Sequence, residues 1–362
     1  MRKVLRYIRL YGPRRTWMKI QGQRHQARRY ESLPTPQRDA RGHVGIIGCG
    51  NFAYTTLGYY LTKNYGRVIR ACMDPDPHRA ASFFERYHLG YYTTAADQLM
   101  ADPAIDLIYI ASNHASHAEY AIAALRAGKA VHVEKPHCVN EDQLDRLCAT
   151  MLAFKGKVRL GFNRPNSALG DEIRRVLRSE HGAAMLNWFI AGHQIEPDHW
   201  YFAEEEGGRV LGNLCHWTDF IYQMIPPNGR FPIKIVPTRT LTSDCDVAVG
   251  YAFGDGSVAS ITFSAKGHSF EGVREKFAGH KGDTLIFLDD FKTLTIERGA
   301  ERQKRRLWFR DHGHEEHLRR SYEMAQHGSA GESAAYVRET GLLFLKTKEA
   351  LERNHTIEIE SS

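Results

Sequence analysis

A glycine turn between an apolar strand and a helix is the feature that most constrains the fold of this chain. Gly48, Gly50 and Ala53 follow the apolar residues 44–47 with the spacing GxGxxA, and a helical pattern begins there. In such a segment the first glycine permits a tight turn and the second lets the backbone approach a pyrophosphate. The small third residue lets the helix pack closely on the strand. The segment therefore predicts a dinucleotide-binding βαβ unit whose helix N-terminus faces the phosphates.

A carboxylate follows the next apolar strand at a distance that fits the same unit. Asp74 ends residues 68–73 and lies 24 residues beyond Gly50. A carboxylate there accepts a hydrogen bond from a ribose 2′-OH and repels a 2′-phosphate, so we expect NAD as the cofactor, with NADP less favoured. Two alternatives stay open: Asp74 as a loop residue that caps the strand, and Arg79 as a partner for the phosphate of NADP.

Strands and helices continue to alternate up to residue 162. The expected strands are residues 44–47, 68–73, 106–110, 130–134 and 158–161. Between them, Gly128 is placed to end one helix, and Asn140 with Gln143 is placed to cap the next. We therefore expect an α/β fold with an N-terminal Rossmann dinucleotide-binding domain, built on a parallel sheet, at residues 43–162.

The remaining residues, 163–362, favour a C-terminal α/β domain with a largely antiparallel sheet, for substrate binding and oligomerisation. The expected strands are residues 185–190, 233–241, 247–253, 258–263, 284–288 and 293–296. Gly254-Asp255-Gly256 is a hairpin signal between two of them. One face of such a sheet is free for a substrate or a partner subunit, so we expect a homo-oligomer, a dimer or tetramer, formed through it.

Composition excludes several classes of protein. The 362 residues are 42% apolar and 25% charged, which suits a protein with two packed cores. No apolar run approaches the roughly 18 residues of a membrane span. The six cysteines form no CxxC pair and nothing upstream resembles a cleavable signal, so we expect reduced thiols in a cytoplasmic protein.

The positive charge of the chain is concentrated in an N-terminal arm. Residues 1–42 contain twelve Lys and Arg and two acidic residues, a net charge of +10, whereas the remainder carries −3. Val4, Leu5 and Ile8 share one helical face before Gly12-Pro13 ends the helix. The arm and linker could rest on anionic lipid at the inner face of the membrane; a solvated arm and packing on a sister subunit are the alternatives. No motif accompanies the charge, so we expect no nucleic acid.

Four motifs in order carry a resemblance to a known family. They are the GxGxxA turn, Ile110-Ala111-Ser112-Asn113-His114-Ala115-Ser116-His117, Gly128-Lys129-Ala130-Val131-His132-Val133-Glu134-Lys135-Pro136 and Gly161-Phe162-Asn163-Arg164. Together they resemble the glucose-fructose oxidoreductase / inositol dehydrogenase family, called Gfo/Idh/MocA. Residues 197–200 and 206–219 resemble a bacterial branch associated with surface-sugar biosynthesis.

The resemblance implies a cofactor site in which Glu134 and Lys135 lie by the nicotinamide, with Lys135 near the reacting hydroxyl. A cation there stabilises the developing alkoxide during hydride loss, and burial lowers the pKa of a lysine towards that of a working base. A surface lysine at a strand end is the alternative. The cofactor-binding residues implied are Gly48, Gly50, Asn51, Phe52, Ala53, Asp74, Ser112, Asn113, His117 and Glu134.

His216 is the second predicted catalytic residue. A neutral imidazole early in its helical pattern could take the hydroxyl proton; a structural core histidine is the alternative. Many enzymes of the family carry Asp four residues before this histidine, whereas this chain has Gly212 there and Asn213 next. Either Asn213 or Asp219 assists His216, Lys135 alone does the acid–base chemistry, or the chain has lost catalysis.

The predicted substrate-binding residues are Asn163, Arg164, His199, Trp200 and Asn213. By family analogy Asn163 and Arg164 face the cleft, where an Arg can hold a phosphate bidentately, as a nucleotide-linked sugar would require. An interdomain salt bridge is the alternative for Arg164. His199 and Trp200 offer a hydrogen bond and a stacking ring for a sugar, although such a pair often serves only packing.

A histidine-rich segment, His312-Gly313-His314-Glu315-Glu316-His317, raises a zinc hypothesis. Its spacing matches no metal motif, so we expect a solvated loop and no metal.

Together, the motifs and the resemblance predict an NAD(P)-dependent oxidoreductase. It would transfer hydride between nicotinamide and a carbinol of a sugar that is nucleotide-linked or otherwise activated. One alternative is a cofactor-binding regulatory protein without turnover. The other is an enzyme that oxidises the sugar transiently to eliminate or hydrolyse a neighbouring group.

Overall fold

The computed structural model describes residues 2–35, 41–193, 195–196, 198–239, 246–267 and 272–361. The chain forms two compact units. The parallel-sheet unit contains the described residues of Pro13–Gly161 and Glu315–Arg338. The mixed-sheet unit contains those of Met1–Gly12, Phe162–His314 and Glu339–Ser362. One of the points at which the chain passes between the units is directly after Gly161.

The N-terminal arm consists of two helices that belong to different units. Helix α1 (Arg2–Tyr11) ends at Gly12, whose φ of +83° lies in the left-handed region, as the sequence predicted. Helix α2 (Pro13–Ala27) is part of the parallel-sheet unit and buries Met18 in its core. The expectation of a solvated arm, or of one packed on a sister subunit, is therefore wrong for α2. The side of α2 that carries Thr16, Met18, Gly22 and His25 is buried within its own chain.

Six parallel strands form the sheet of the first unit. They are β1 (Val44–Ile47), β2 (Ile69–Met73), β3 (Tyr91–Thr93), β4 (Leu107–Ile110), β5 (Ala130–Val133) and β6 (Val158–Leu160). Their order is β3-β2-β1-β4-β5-β6. This order reverses beside β1, and open parallel sheets bind ligands at the carboxyl ends of strands next to such a point.

Helices connect these strands, and their ends follow local rules. They are a π-helical turn (Ala53–Leu57) with α3 (Gly58–Tyr65), then α4 (Pro77–Tyr87), α5 (Ala96–Ala101), α6 (His114–Arg126) and α7 (Glu141–Ala153). Gly128 follows α6 with a φ of +76°, and the Asn140 side chain caps α7 by accepting from the Gln143 amide at 2.9 Å. Both signals were predicted from the sequence.

The mixed-sheet unit has nine strands among its described residues. They are β7 (Ala184–His193), β8 (Ile233–Arg239), β9 (Asp246–Ala252), β10 (Val258–Gly267), β11 (Arg274–Lys281), β12 (Thr284–Asp289), β13 (Thr293–Arg298), β14 (Glu301–Arg306) and β15 (Ile357–Ile359). Their order is β14-β13-β12-β11-β7-β10-β9-β8-β15. The β7–β10 pair is parallel and the other pairs that the structure defines are antiparallel.

One face of this sheet is packed and the other is exposed. The helices of this unit are α8 (Ala168–Ser179), α9 (Cys215–Met224) and most of α11 (Ala334–Arg353), whereas α10 (His314–Gln326) belongs to the parallel-sheet unit from Glu315 onwards. Phe220 of α9 packs edge-on against Trp188 of β7, with ring centroids 5.0 Å apart. Large apolar side chains on the opposite face are 43–55% exposed: Met185, Phe189, Val258, Leu285 and Phe287.

The expected fold, a Rossmann-type domain followed by a domain with a mostly antiparallel sheet, is confirmed. Among the strands that the sequence did not indicate, β11 and β14 have the sequences REKFAGHK and ERQKRR, which lack a run of apolar residues, and β3 is only three residues long. The chain also returns to the parallel-sheet unit at Glu315–Arg338, which the sequence did not indicate. Part of the strand expected at 233–241 lies outside the described residues. Among those described, no helix has the length and apolar composition needed to span a bilayer.

Candidate active site

The glycine turn after β1 has the shape expected of a phosphate-binding loop. Gly48 has a φ of +86°, and a Cβ built there would lie 2.5 Å from the backbone oxygen of Ala111, so no side chain fits. A Cβ at Gly50 would meet nothing within 4 Å, so the backbone at Gly50 is open to an approaching group. Ala53 is fully buried. The residues present therefore fit a dinucleotide.

Asp74, directly after β2, is fixed against this turn. Its carboxylate accepts from the Cys49 amide at 2.8 Å through Oδ2 and from the Asp76 amide at 2.9 Å through Oδ1. Burial raises the pKa of Asp74, and these two hydrogen bonds oppose the rise. Each carboxylate oxygen keeps a second lone pair for a ribose hydroxyl. Arg79 lies 3.5 Å from Asp76, so the alternative of a phosphate partner beside Asp74 stays open.

The loop after β4 and the first turn of α6 supply three of the predicted cofactor residues. Asn113 is the N-cap of α6, and its Oδ1 lies 2.6 Å from the Ser116 hydroxyl, which also lies 2.7 Å from the Ser112 hydroxyl. His117 is buried with one ring nitrogen 2.8 Å from the Pro136 oxygen and the other 3.1 Å from the Ser112 oxygen. Burial lowers the pKa of His117. The histidine thus links the loops after β4 and β5.

The end of β5 carries Glu134 and Lys135. Glu134 is 8% exposed, and its Oε1 lies 3.2 Å from Nε2 of His132. The other ring nitrogen of His132 lies 2.7 Å from the Ser321 hydroxyl. Gly161 makes room for this carboxylate, because a Cβ there would lie 2.6 Å from Glu134 Oε2. Lys135 is half-buried.

Strand register brings these residues to one edge of the sheet. Ile47, which precedes the glycine turn, pairs with Met73 and with Ile110, and Ile110 pairs with Val133. The residues that follow these four strand ends include Gly48, Asp74, Ser112 and Glu134. The site predicted from separate motifs is therefore contiguous along four neighbouring strands.

Sequence reasoning missed His132. The available signal was strand periodicity: residues two apart point to the same side of a strand, which places His132 and Glu134 together. Sequence reasoning also missed that helix α2 contacts the glycine turn, where His25 Nε2 lies 2.6 Å from the Cys49 oxygen. Neither a motif nor periodicity gave a signal for this contact.

In the mixed-sheet unit, His216 is the second residue of α9 and is 6% exposed. Its ring contacts those of Phe162 and Trp217, at 6.3 and 6.1 Å between centroids. Both oxygens of Asp219 accept from Gln223, at 3.2 and 2.9 Å, which does not favour Asp219 as the assistant of His216. The Asn213 amide oxygen is buried and has no hydrogen-bond partner among the described residues, so it can accept from a ligand hydroxyl.

Arg164 is committed to an ion pair within the mixed-sheet unit. Its Nε and Nη2 lie 2.9 and 2.8 Å from Glu275 Oε1, and its Nη1 donates to Asn163 Oδ1 at 3.0 Å. Asn163 Nδ2 in turn donates to the His312 oxygen at 2.7 Å. Because Glu275 and Asn163 occupy the Arg164 guanidinium, the structure does not favour the predicted role of Arg164 as a phosphate ligand. The salt bridge that was the alternative role of Arg164 is present, but it lies within one unit rather than between two domains.

His199 and Trp200 remain accessible. His199 accepts from the Tyr201 amide at 3.3 Å and caps a short 3-10 turn, and its ring centroid lies 5.5 Å from that of Trp200. Trp200 is 47% exposed. Pro197, which precedes this motif, lies outside the described residues.

The histidine-rich segment is not a solvated loop. His314 begins α10, His317 is 3% exposed, and the His312 ring packs against Phe291 at 5.5 Å between centroids. The expectation was wrong because the charged residues occupy one side of a helix whose other side is buried. No group of three or more His, Cys, Asp or Glu is placed to hold a metal ion in the described part of the chain.

Comparison with known proteins supports the same architecture. Residues 43–162 match the family described as "Oxidoreductase family, NAD-binding Rossmann fold" (GFO_IDH_MocA). Oxidoreductase P35 of Formosa agariphila is 30% identical over 39% of this chain, and the chain spans 44% of that relative. The 1,5-anhydro-D-fructose reductase of Ensifer adhaerens is 30% identical over 71% of this chain and 72% of its own length.

Among solved structures, levoglucosan dehydrogenase in complex with NADH and levoglucosan superposes with a TM-score of 0.75. The superposition covers 88% of this chain and 99% of that chain at 16% identity, so it shows the fold. The sheet order and the glycine turn define a Rossmann-type dinucleotide-binding domain, in agreement with the family model matched by residues 43–162. Because it is 30% identical to the anhydrofructose reductase over 72% of that relative's length, the chain belongs to the Gfo/Idh/MocA family.

Proposed function

We propose that the protein is an NAD-dependent oxidoreductase that transfers hydride between nicotinamide and a carbinol of a sugar or polyol. The observation that carries the proposal is the alignment of four strand ends that places Gly48, Asp74, Ser112 and Glu134 along one edge of the sheet. The relative named for 1,5-anhydro-D-fructose and the structure named for levoglucosan support the substrate class.

The proposed roles follow from the chemistry of each side chain. Bound NAD supplies the hydride acceptor. Lys135 stabilises the alkoxide that forms as the hydroxyl proton leaves, and Glu134, held by His132, provides a fixed negative charge next to this lysine. His216 takes up the hydroxyl proton. Asn213 accepts a hydrogen bond from a substrate hydroxyl through its buried amide oxygen.

The proposed substrate is a free sugar or an activated sugar, and the proposal does not require a linked nucleotide. The expectation of a nucleotide-linked sugar depended on Arg164 as a phosphate ligand, and that guanidinium is bound to Glu275. His199 and Trp200 offer a hydrogen bond and an exposed ring, which suit a sugar of either kind.

The decisive experiment mixes the purified protein with NAD or NADP and a panel of free sugars, polyols and nucleotide-linked sugars while absorbance at 340 nm is recorded. We expect turnover with NAD. Removal of a general acid–base group typically costs about 10²–10⁴-fold in rate, so Lys135→Ala and His216→Ala should each lose activity on that scale. Full activity in both variants would disprove the assigned roles.

Gly212 favours a second candidate, a cofactor-binding protein without turnover. It is buried where many family members carry the Asp that assists the histidine. Calorimetry that detects NAD binding, with no turnover across the whole panel, would support this candidate. Formation of a product without NADH accumulation would instead indicate transient oxidation followed by elimination or hydrolysis.

A further inference from the structure

Helix α2 of the N-terminal arm touches the glycine turn. His25 on this helix is 2% exposed, and its Nε2 lies 2.6 Å from the backbone oxygen of Cys49. Its Nδ1 lies 2.9 Å from the Ser82 hydroxyl, and its ring stacks on that of Tyr54 with 4.1 Å between centroids. Because a carbonyl oxygen can only accept, Nε2 carries the proton in this contact and Nδ1 can accept from Ser82.

Cys49 is the residue between the two glycines of the turn, and side chains hold it at both of its backbone groups. Its amide donates to Asp74 and its carbonyl accepts from His25. Asp74 belongs to the expected dinucleotide motif, whereas His25 lies in the arm. The conformation of the turn therefore depends on a residue outside the motif.

Two further contacts bring α2 close to the helix that follows the turn. A Cβ at Gly22 would lie 2.3 Å from Asn51 Oδ1 and 2.4 Å from a methyl group of Thr55, so only glycine permits this approach. Arg15 donates to the Thr55 oxygen and, at 3.3 Å, to the Thr56 hydroxyl. The contacts thus extend from the turn along the π-helical segment behind it.

We propose that α2 is a working part of the cofactor site and that His25 is a positioning residue, which fixes the Cys49 carbonyl and so holds the glycine turn ready for the pyrophosphate. This role rests on the proposed binding of NAD, and it means that tight binding requires helix α2 of the arm. The turn must present its amides without rearrangement for tight binding, since any ordering on binding reduces affinity. Because α2 packs on the turn, the turn is already ordered before the cofactor binds.

The test measures the dissociation constant of NAD by calorimetry and the hydrogen exchange of residues 48–53 in the absence of cofactor. His25→Phe keeps an aromatic ring against Tyr54 but loses both hydrogen bonds. We expect NAD binding at least about fivefold weaker, the effect of one lost hydrogen bond, and faster exchange in the turn. His25→Gln keeps a donor at the position of Nε2, so its affinity should recover towards that of the wild type.

Met18→Ala is the matched control. Met18 lies on the same helix and is 2% exposed in the core, and its sulfur accepts a hydrogen bond from Arg86 at 3.7 Å. The Met18→Ala variant should have a lower melting temperature than the wild type, whereas its dissociation constant for NAD should stay near that of the wild type. If His25→Phe fails to fold, Gly22→Ala provides the same comparison, because its methyl group displaces α2 from Asn51.

Wild-type affinity in His25→Phe or Gly22→Ala overturns the inference while leaving the proposed function intact. Equal loss of affinity in Met18→Ala also overturns it, since the effect would then follow stability alone. If the wild-type protein binds neither NAD nor NADP, the proposed function and the inference fail together.

Discussion

Arg164 and Glu275 form an ion pair that is buried on both sides, with side chains 8% and 0% exposed and 2.8 Å between Nη2 and Oε1. Removal of one partner from such a pair leaves an uncompensated buried charge, at a cost of about 3–5 kcal/mol. Glu275→Gln should therefore lower the free energy of unfolding by that amount in urea denaturation. The double variant Arg164→Met, Glu275→Leu should lose much less. Equal stability of Glu275→Gln and the wild type would contradict this account.

Asp74 should determine the choice of cofactor. Replacement by Ser removes the carboxylate that faces the turn, so NAD binding should weaken about tenfold, as expected for loss of a charge-assisted hydrogen bond. NADP should bind better because the repulsion of its 2′-phosphate is gone. Calorimetry with both cofactors measures the change. Adding Arg79→Gln to Asp74→Ser should abolish the gain with NADP; an unchanged gain would exclude Arg79 as the phosphate partner.

His137 should make stability depend on pH. It is fully buried, its Nε2 lies 3.0 Å from the Val337 oxygen, and burial lowers its pKa from 6.5 to about 4. The unfolded chain binds a proton below pH 6.5 that the folded protein excludes. The stability contribution is therefore complete above pH 6.5 and is lost as the pH falls to 4, by up to about 3 kcal/mol.

The variant His137→Gln keeps a donor towards Val337 but cannot be protonated. In urea denaturation at a series of pH values, its free energy of unfolding should fall less steeply between pH 6.5 and 4 than that of the wild type. Parallel curves for the two proteins would show that His137 does not cause the loss.

We expect any contact with anionic lipid to involve α1 and Trp308, both in the mixed-sheet unit. Val4 and Leu5 are 44% and 52% exposed, and Trp308 is 90% exposed. The end of α1 is held near Trp308, since the Arg310 amide donates to the Leu10 oxygen at 2.8 Å. Exposed apolar residues within a cationic helix are typical of segments that lie on a bilayer surface.

The test is flotation with liposomes that contain anionic phospholipid. Deletion of residues 1–10 and Trp308→Ser should each reduce binding. The effect of the deletion, which removes cationic side chains, should be larger at low salt than at high salt. Trp17→Ser is the control, because Trp17 is 55% exposed but lies on α2. Equal flotation of all variants would exclude this surface. Deletion of the whole arm would be a poor test, since α2 contributes Met18 to the core.

The exposed face of the mixed sheet is the proposed oligomer interface. Phe189 and Phe287 are 48% and 44% exposed on neighbouring parts of this face, and a charge there would be buried unpaired in an isologous contact. Phe189→Asp should therefore convert a dimer or tetramer into a monomer, as measured by light scattering after size-exclusion chromatography. Arg178→Asp, an exposed change on helix α8 rather than on the sheet face, is the control. A monomeric wild-type protein would contradict the proposal.

Local signals predicted much of the first unit. Gly48, Gly128 and the Asn140 cap act through their own backbone or through residues three positions away, so the sequence contains the information needed to place them. The alternating strands of the second domain were recognised where one side was apolar. The charged strands β11 and β14 were not, because their formation depends on pairing with β12 and β13 rather than on their own composition.

The contacts that sequence reasoning missed join distant residues. Arg164 binds Glu275, His132 lies against Ser321, and His25 reaches Cys49. In each case a polar side chain has its partner within the protein, and only the tertiary structure shows which partner that is. For this reason the sequence leaves open whether Arg164 binds substrate or forms a salt bridge, and whether the arm lies on lipid, in solvent or on a sister subunit.

The return of the chain to the parallel-sheet unit has a consequence for its synthesis. Leu318, Tyr322 and Met324 belong to the same core as Val44 and Leu107. A nascent chain that has left the ribosome only as far as Gly161 therefore exposes apolar surface that its own residues cannot cover. The cofactor-binding unit can reach its final packing only after nearly all of the protein has been translated, which makes it a substrate for chaperones during that interval.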